Sequence, residues 1–577
     1  MTDPFLTVAA RLAPAFGSLA DGPVDPVVRP SDRADAQANG ALALAKTVGG
    51  SPREVAQKVL DAAGDLSDIL SGTEIAGPGF INLVFSDSFV ESELAALSAD
   101  DRLGVRLAPH PRRVVVDYSA PNVAKEMHVG HLRSSVIGDS VVRLVQFAGH
   151  TVVRENHIGD WGTQFGMLIE HMQDVGEDRA ASELGVGDLD GFYKEARRKF
   201  DASEEFKTRA RLRVVALQRG DGETLRLWRI LVSLSTVYFN EVYRRLGVLL
   251  TDDDLMGESA YNDMLDPVVE RLRAAGLLQM DDGAEVVFPE GFTNRDNEPL
   301  PMIVRKGDGG YGYAATDLAT VIDRVENKGI TSMLYVVGAP QAQHLQMVHA
   351  VARMAGWIDD SVEFNHIAFG SVLGADRKML KSRSGESIKL ISLLDEAVER
   401  AAAAIAEKNP EMPADERARV ATMVGIGAVK YADLSGDRIK DYIFDWERML
   451  SFDGNTAPYL QYAHARICSI FRRAGIDRAS VRSTAPVLGE PRERALAMRL
   501  LRFDGAVWDA LDGYQPHRLC TYLYDLASDF TSFYEHCPVL RAEDESTRDS
   551  RLHLSDITAR VMERGLGLLG ISAPEQM

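Results

Sequence analysis

Val114-Val115-Val116-Asp117-Tyr118, broken by Ser119-Ala120-Pro121-Asn122 and followed by His128-Val129-Gly130-His131, is the stretch on which the reading of this chain turns. The apolar β-branched run is a buried-strand pattern, and the Ser-Ala-Pro-Asn segment ends it. A helix is expected from about His131, with Ile137, Val141, Leu144, Val145 and Ala148 at three-and-four spacing and Gly149 as its C-terminal stop. Thr151-Val152-Val153 is the next strand and completes a βαβ unit, the building block of a parallel sheet. Strands predicted at Met333 to Val337 and His366 to Phe369 extend the sheet, and a largely helical insertion fills roughly residues 167 to 250.

The turn between strand and helix is where chemistry is expected. A helix N-terminus offers unpaired N–H groups and a positive dipole end to phosphates. His128 and His131 can share one helix face, and Gly130 leaves room for a nucleotide to approach the backbone. Two surface histidines on a turn would produce the same pattern. A second basic stretch, Lys378-Met379-Leu380-Lys381-Ser382-Arg383-Ser384-Gly385, follows the last predicted strand. Mobile ammonium groups there can follow a triphosphate into its transition state, although a solvated loop also has this composition.

Further outward, residues 1 to 106 read as a small α+β domain. Ser51-Pro52 opens a helix to Ala63, and Gly77-Pro78-Gly79 introduces the strand Phe80 to Phe85. Leu107 to Arg113 is a linker pattern. Beyond Leu390 the periodicity is helical, at Ile391 to Lys408, Arg417 to Leu434 and Pro458 to Ala474, so a helical bundle closes the chain. The resulting boundaries are 1–106, 107–445 with the insertion at 167–250 and the basic loop at 376–386, and 446–577.

At 577 residues the chain is too long for one hydrophobic core. A formal charge of -21 excludes a passive nucleic-acid coat, which needs a basic surface. Basic residues do concentrate locally, at Arg197-Arg198-Lys199, Lys207 to Arg213, and Arg466 with Arg472-Arg473, where solvated helix faces are the simplest reading. Cys468, Cys520 and Cys537 form no CxxC pair, so reduced, buried thiols and no structural metal are expected. The first residues lack a signal-peptide pattern and no window is apolar enough to span a bilayer, which predicts a cytoplasmic protein with no membrane association.

The pairing of HxGH with a KMxKS-type loop resembles the class I aminoacyl-tRNA synthetases, and longer stretches resemble the arginine-specific family. These are Ser119-Ala120-Pro121-Asn122-Val123-Ala124-Lys125-Glu126-Met127 running through His128 to Ser134, the segment Asn156-His157-Ile158-Gly159-Asp160-Trp161-Gly162 to Gly166, Gly427 to Asp433 with Phe444-Asp445-Trp446, Asn455 to Arg466, and Leu569 to Pro574. The resemblance covers the chain and is least at its N-terminal end. It implies a Rossmann-like α/β parallel-sheet catalytic domain with a helical insertion, a small α+β N-terminal domain and an all-α anticodon-binding domain. It further implies that ATP, with Mg²⁺ as its substrate complex, activates L-arginine to an adenylate. The arginyl group then passes to the 2′-hydroxyl of the terminal adenosine of tRNA(Arg). Activation waits for bound tRNA, and a monomer is expected.

Carried over residue by residue, the family places catalysis at His128, His131, Lys378 and Lys381, with Lys125 and Gly130 also against ATP. Leu380 stands where the family has its central serine, which leaves open which of Lys125, Lys378 and Lys381 dominates. The arginine pocket falls at Asn122, Glu258, Tyr313, Asp317 and Gln341. Tyr313 and Asp317 are four apart, so on a helix an aromatic wall stands beside an acid suited to a guanidinium. From the sequence alone Glu258 also fits a helix cap, Tyr313 a core tyrosine and Asp317 a surface acid. Asp160 and Trp161 fit either a tight structural turn or a place beside the site. The tRNA contacts implied are Tyr459, Tyr462 and Met577. Aromatic faces near Arg466 suit unstacked RNA bases, and core packing would use the same residues. Two other classes remain. A different HxGH nucleotidyl transferase would be a short chain without the insertion and the C-terminal bundle. A non-catalytic tRNA-binding scaffold would have lost the signature residues, whereas both histidines and two loop lysines are present.

Overall fold

The computed structural model describes residues 3–162, 164–180, 189–380 and 388–577. The chain forms two compact units, one of residues 108–451 with 568–571, the other of residues 1–107, 452–567 and 572–577.

The first unit is built on a four-stranded parallel sheet. Arg113–Asp117 lies between Ser332–Tyr335 and Thr151–Glu155, and Glu363–His366 flanks Ser332–Tyr335 on the outside. Val115 is in register with Met333 on one side and Val153 on the other. Val114, Val115 and Val116 are buried, as a strand covered on both faces requires. The outer strand ends at His366, where the sequence pattern placed its start. Its half-exposed Glu363 and Asn365 give an edge strand little apolar signal.

The helix after the first strand runs Val129–Phe147, beginning before His131 because His128 is its N-cap. Helix Tyr313–Ile322 continues into a single π-helical turn, Asp323–Asn327. Within that turn the fully buried Arg324 places Nη2 2.6 Å from both Asp117 Oδ2 and Glu155 Oε2. One guanidinium thereby joins the C-terminal ends of two adjacent strands.

Among the described residues, the insertion includes helices Gln164–Val175, Leu189–Ala202, Glu204–Gln218 and Gly222–Leu246. Its basic runs are neutralised internally. Lys199 and Arg209 meet Asp174 at 3.1 and 2.9 Å, and Arg213 meets Glu170 at 2.7 Å.

In the second unit an antiparallel sheet has the order Val28–Pro30, Ala36–Ala38, Phe80–Phe85, Leu70–Ala76. The neighbouring helix Pro52–Ala63 is held at its start by a capping box between Ser51 and Glu54. The C-terminal helices include Ala457–Ala474, Pro491–Leu500, Phe503–Leu511 and Pro516–His536. Arg494 forks onto Asp35 at 2.7 and 2.8 Å, and Arg106 meets Asp504 at 2.8 Å, so ion pairs tie the two stretches of this unit together. All three cysteines are buried and form no disulfide. Among the described residues, no helix is long and apolar enough to cross a membrane.

Candidate active site

The loop between the first strand and helix Val129–Phe147 is strained and held. Ser119, Ala120 and Ala124 all have positive φ, at 75°, 48° and 59°, a region that L-residues avoid. Four side chains compensate. Ser134 Oγ and Asn156 Oδ1 accept from the Ser119 and Ala120 amides at 2.8 and 3.0 Å, Ser235 Oγ accepts from Ala124 N at 2.9 Å, and the Tyr243 hydroxyl is 2.7 Å from Ser119 Oγ. Ser134 and Asn156 lie in stretches that carry the family resemblance, but none of the four was expected to hold this loop, because hydroxyls and amides carry no spacing signal.

At the helix start the two histidines form a reciprocal cap. His128 Nδ1 accepts from Gly130 N at 3.0 Å, and His131 Nδ1 accepts from His128 N at 3.1 Å, with ring centroids 4.2 Å apart. A Cβ on Gly130 would fall 2.7 Å from His128 Cε1, so the glycine gives the ring its place over the helix end. Desolvation pulls His131 down to about 3 and lowers His128 as well. Both imidazoles are therefore neutral near pH 7. With Nδ1 accepting, the ring proton of each sits on Nε2, which makes both rings hydrogen-bond donors at a positive helix end.

His128 and His131 line a cavity of about 330 Å³ with Asn122, Lys125, Asp190, Lys194 and Lys389. Lys125 Nζ sits 4.5 Å from the Tyr193 ring centroid, and Lys389 Nζ is 2.9 Å from Glu126. Lys194 and Lys389 were not expected here: Lys194 comes from the insertion, and Lys389 is brought in by backbone pairing. Val129 N donates to Ile388 O and Leu390 N to Met127 O, which clamps the chain following the Lys378 loop against the histidine turn. Lys378 itself lies in a turn, its amide on Asp376 Oδ1 at 3.1 Å, and is not among the cavity's lining residues. Lys381 lies outside the described residues.

A second cavity, also of about 330 Å³, is lined by Asp117, Ala120, His157, Glu258, Tyr313, Asp317, Gln341 and His344 among others. Four of the five expected arginine-site residues meet here, and Asn122 lies instead on the first cavity. The two cavities share one loop, Ala120 facing the second and Asn122 the first. Tyr313 is 78% exposed at the first position of its helix, which removes the core reading. Glu258 is raised to about 7 by burial and by the nearby charges of Asp160 and Asp317. Asp317 Oδ2 lies 2.6 Å from His344 Nε2, and this contact raises the histidine's pKa.

Asp160 and Trp161 now have a physical account. The Asp160 carboxylate accepts from Ser259 N at 2.9 Å and Ser259 Oγ at 2.7 Å, and a Cβ on Gly257 would strike Asp160 Oδ2 at 2.2 Å. Asp160 thus fixes the residues on both sides of Glu258. Its carbonyl accepts from Trp228 Nε1 at 2.7 Å, and the Trp161 ring packs edge-on against Trp228.

Residues 93–446 match the family described as "tRNA synthetases class I (R), catalytic domain", residues 7–85 the "Arginyl tRNA synthetase N terminal domain", and residues 460–577 the "DALR anticodon binding domain". The chain belongs to the arginyl-tRNA synthetase family. It is 54% identical to the arginine–tRNA ligase of Thermobifida fusca over the full length of both chains, and 50% identical to that of Yersinia enterocolitica over 96% of each. Among solved structures, the arginyl-tRNA synthetase of Plasmodium falciparum superposes with a TM-score of 0.85 at 27% identity, covering 99% of each chain. That of Thermus thermophilus superposes at 0.82 and 25%, covering 99% of this chain and 100% of its own. The expected architecture of a class I catalytic domain, a small N-terminal domain and an all-helical C-terminal domain is therefore the one the synthetase has.

The synthetase's expected tRNA contacts lie in the other unit. Tyr462 is 44% exposed with its ring edge-on to Phe452, and Tyr459 packs at 5.7 Å on Tyr524. The segment carrying Met577 is laid along helix Ala457–Ala474 by Gln461 to Ser572 O, His464 to Pro574 O and Arg472 to Glu575 O, at 2.8, 3.0 and 2.8 Å. Arg466 stacks at 4.4 Å on Tyr534, not on the two expected tyrosines.

Proposed function

We propose that the chain makes arginyl-tRNA by activating L-arginine with ATP in the two adjoining cavities of the first unit. The observation that carries this reading is their chemical complementarity across one loop. One cavity presents two neutral imidazole donors, a helix N-terminus and three lysines, a set suited to a polyphosphate. The other presents carboxylates beside an exposed tyrosine, a set suited to a guanidinium.

With ATP in the first cavity and arginine in the second, the arginine carboxylate attacks the α-phosphorus in line. The P–O bond to the β-phosphate breaks and pyrophosphate leaves. The Nε2–H groups of His128 and His131 donate to oxygens on which charge builds in the pentavalent transition state, and Lys125, with the loop lysines Lys378 and Lys381, neutralises the leaving pyrophosphate. Mg²⁺ arrives with the triphosphate as part of the substrate. In the second step the 2′-hydroxyl of the terminal adenosine of tRNA(Arg) attacks the adenylate carbonyl and AMP departs. Neither step needs a nucleophile from the protein. Tyr459, Tyr462 and Met577 read the anticodon loop, with residues 1–106, 107–445 and 446–577 acting as tRNA-binding, catalytic and anticodon-binding segments. The enzyme works as a cytoplasmic monomer.

Arginine-dependent pyrophosphate exchange tests this reading, with and without cognate tRNA. Exchange that requires tRNA is expected. No exchange even with tRNA would overturn the catalytic assignment, and strong exchange without it would overturn the tRNA dependence.

A further inference from the structure

Three acids line the guanidinium-type cavity, and their surroundings differ. Asp117 is already balanced by the buried Arg324, 2.6 Å away. Glu258, half-buried, has no cationic partner among the described residues and feels two other carboxylates, Asp160 and Asp317. Asp317 is distinguished by a dedicated donor: His344 Nε2, 2.6 Å from its Oδ2, lies in the first turn of helix Ala342–Met354, directly after Gln341. His344 and Asp317 line the cavity together from two different helices, with side chains about one third exposed, at 35% and 28%.

A carboxylate next to another acid on a solvent-accessible wall has free rotamers and a reason to turn outward, away from its like-charged neighbour. A donor on the next helix removes that freedom. One oxygen is taken up by the histidine, and Oδ1 is left for the substrate.

We infer that His344 is a positioning residue for arginine selection: it pins Asp317 as the oriented carboxylate of the pocket, and so sets how strongly the site prefers a guanidinium to a neutral side chain of the same length. This inference rests on the arginine pocket proposed above. His344 makes no bond to reacting atoms, and its effect is expected in arginine binding alone.

The test is steady-state aminoacylation by the full-length enzyme with His344→Ala, His344→Gln and Asp317→Ala, varying arginine and ATP separately. His344→Ala should raise the KM for arginine about tenfold, the size of one charge-assisted hydrogen bond, while kcat and the KM for ATP stay at the wild-type values. His344→Gln carries an amide donor at comparable reach and should recover most of the loss, which a packing role for the ring would not allow. An arginine KM unchanged in His344→Ala, a parallel rise in the KM for ATP, or no recovery in His344→Gln would each overturn the inference. Asp317→Ala separates the levels. If it also leaves the arginine KM unchanged, the pocket assignment itself fails. If it raises that KM while His344→Ala is silent, only the role of His344 falls.

Discussion

Asp160 and Ser259 are joined twice, the carboxylate of one accepting the amide and the hydroxyl of the other at 2.9 and 2.7 Å. Glu258 sits between that clamp and Gly257, whose missing Cβ admits the Asp160 carboxylate. The pair therefore governs where an acid of the proposed arginine pocket stands without itself lining the cavity.

Asp160→Ala should consequently act through Glu258. Losing two hydrogen bonds to a charged acceptor is worth about 2–3 kcal/mol, or roughly a thirtyfold to hundredfold rise in the KM for arginine. The KM for ATP should stay near wild type, since the histidine cavity does not include Asp160. Steady-state aminoacylation with each substrate varied separately measures this, and Ser259→Ala, which keeps the amide half of the clamp, should show a smaller rise. Equal losses for ATP and arginine would assign Asp160 to the fold alone.

Glu258 gives the synthetase a pH signature. Its pKa in the empty pocket is raised to about 7, so it is largely protonated below that pH and charged above it. A guanidinium pairs with the charged form. Arginine binding therefore weakens as pH falls through 7 and releases a proton near neutrality, with a limiting slope of about tenfold in KM per pH unit. His344 faces the same cavity and its pKa is raised by the contact with Asp317, so the profile is best recorded in His344→Gln. Glu258→Gln should flatten it. The same substitution should raise the melting temperature most at pH 8, where folding must hold this carboxylate charged, and the gain should shrink as pH falls from 7 towards the ordinary carboxyl value of 4.5, below which Glu258 is neutral in both folded and unfolded chains. A flat wild-type profile would show that Glu258 does not contact substrate.

Gly130→Ala tests the reciprocal histidine cap. The new methyl would lie 2.7 Å from His128 Cε1 and force the imidazole off the helix end. The loss of one oriented donor at the phosphates should lower kcat by about 10²-fold or more and leave arginine binding, measured by calorimetry, intact. Activity within a few-fold of wild type would mean that the ring finds a second seat.

The parallel sheet, the helical insertion and the closing bundle were legible in the sequence because each rests on periodicity: a β-branched run at Val114–Val116, three-and-four spacing at Ile137 to Ala148, and long amphipathic stretches after Leu390. The signature histidines were legible only in combination, because HxGH on a strand-helix turn also fits surface histidines until the basic loop at Lys378 and the longer family stretches accompany it. Tyr313 and Asp317 were named by the family resemblance, and their spacing of four on a helix supplied the physical reason for the pairing. The structure adds why Gly130 and Gly257 are glycines, which is the space demanded by the His128 ring and the Asp160 carboxylate.

What tertiary structure alone decided is which distant side chains meet. No spacing rule links His344 to Asp317, Ser259 to Asp160, Lys194 and Lys389 to the histidine turn, or Arg324 to the ends of two strands, because each contact closes a loop whose geometry depends on the packing of the sheet. The basic runs at Arg197 to Lys199 and Lys207 to Arg213 illustrate the converse. Their charge was plain in the sequence, and Arg197, Arg198 and Lys207 meet acids on their own helices, but Lys199, Arg209 and Arg213 meet Glu170 and Asp174 on a different helix. Sequence determined the chemistry available at each position, since that is set by local covalent identity. The fold determined which of those groups share a cavity, since burial and proximity are properties of the packed chain.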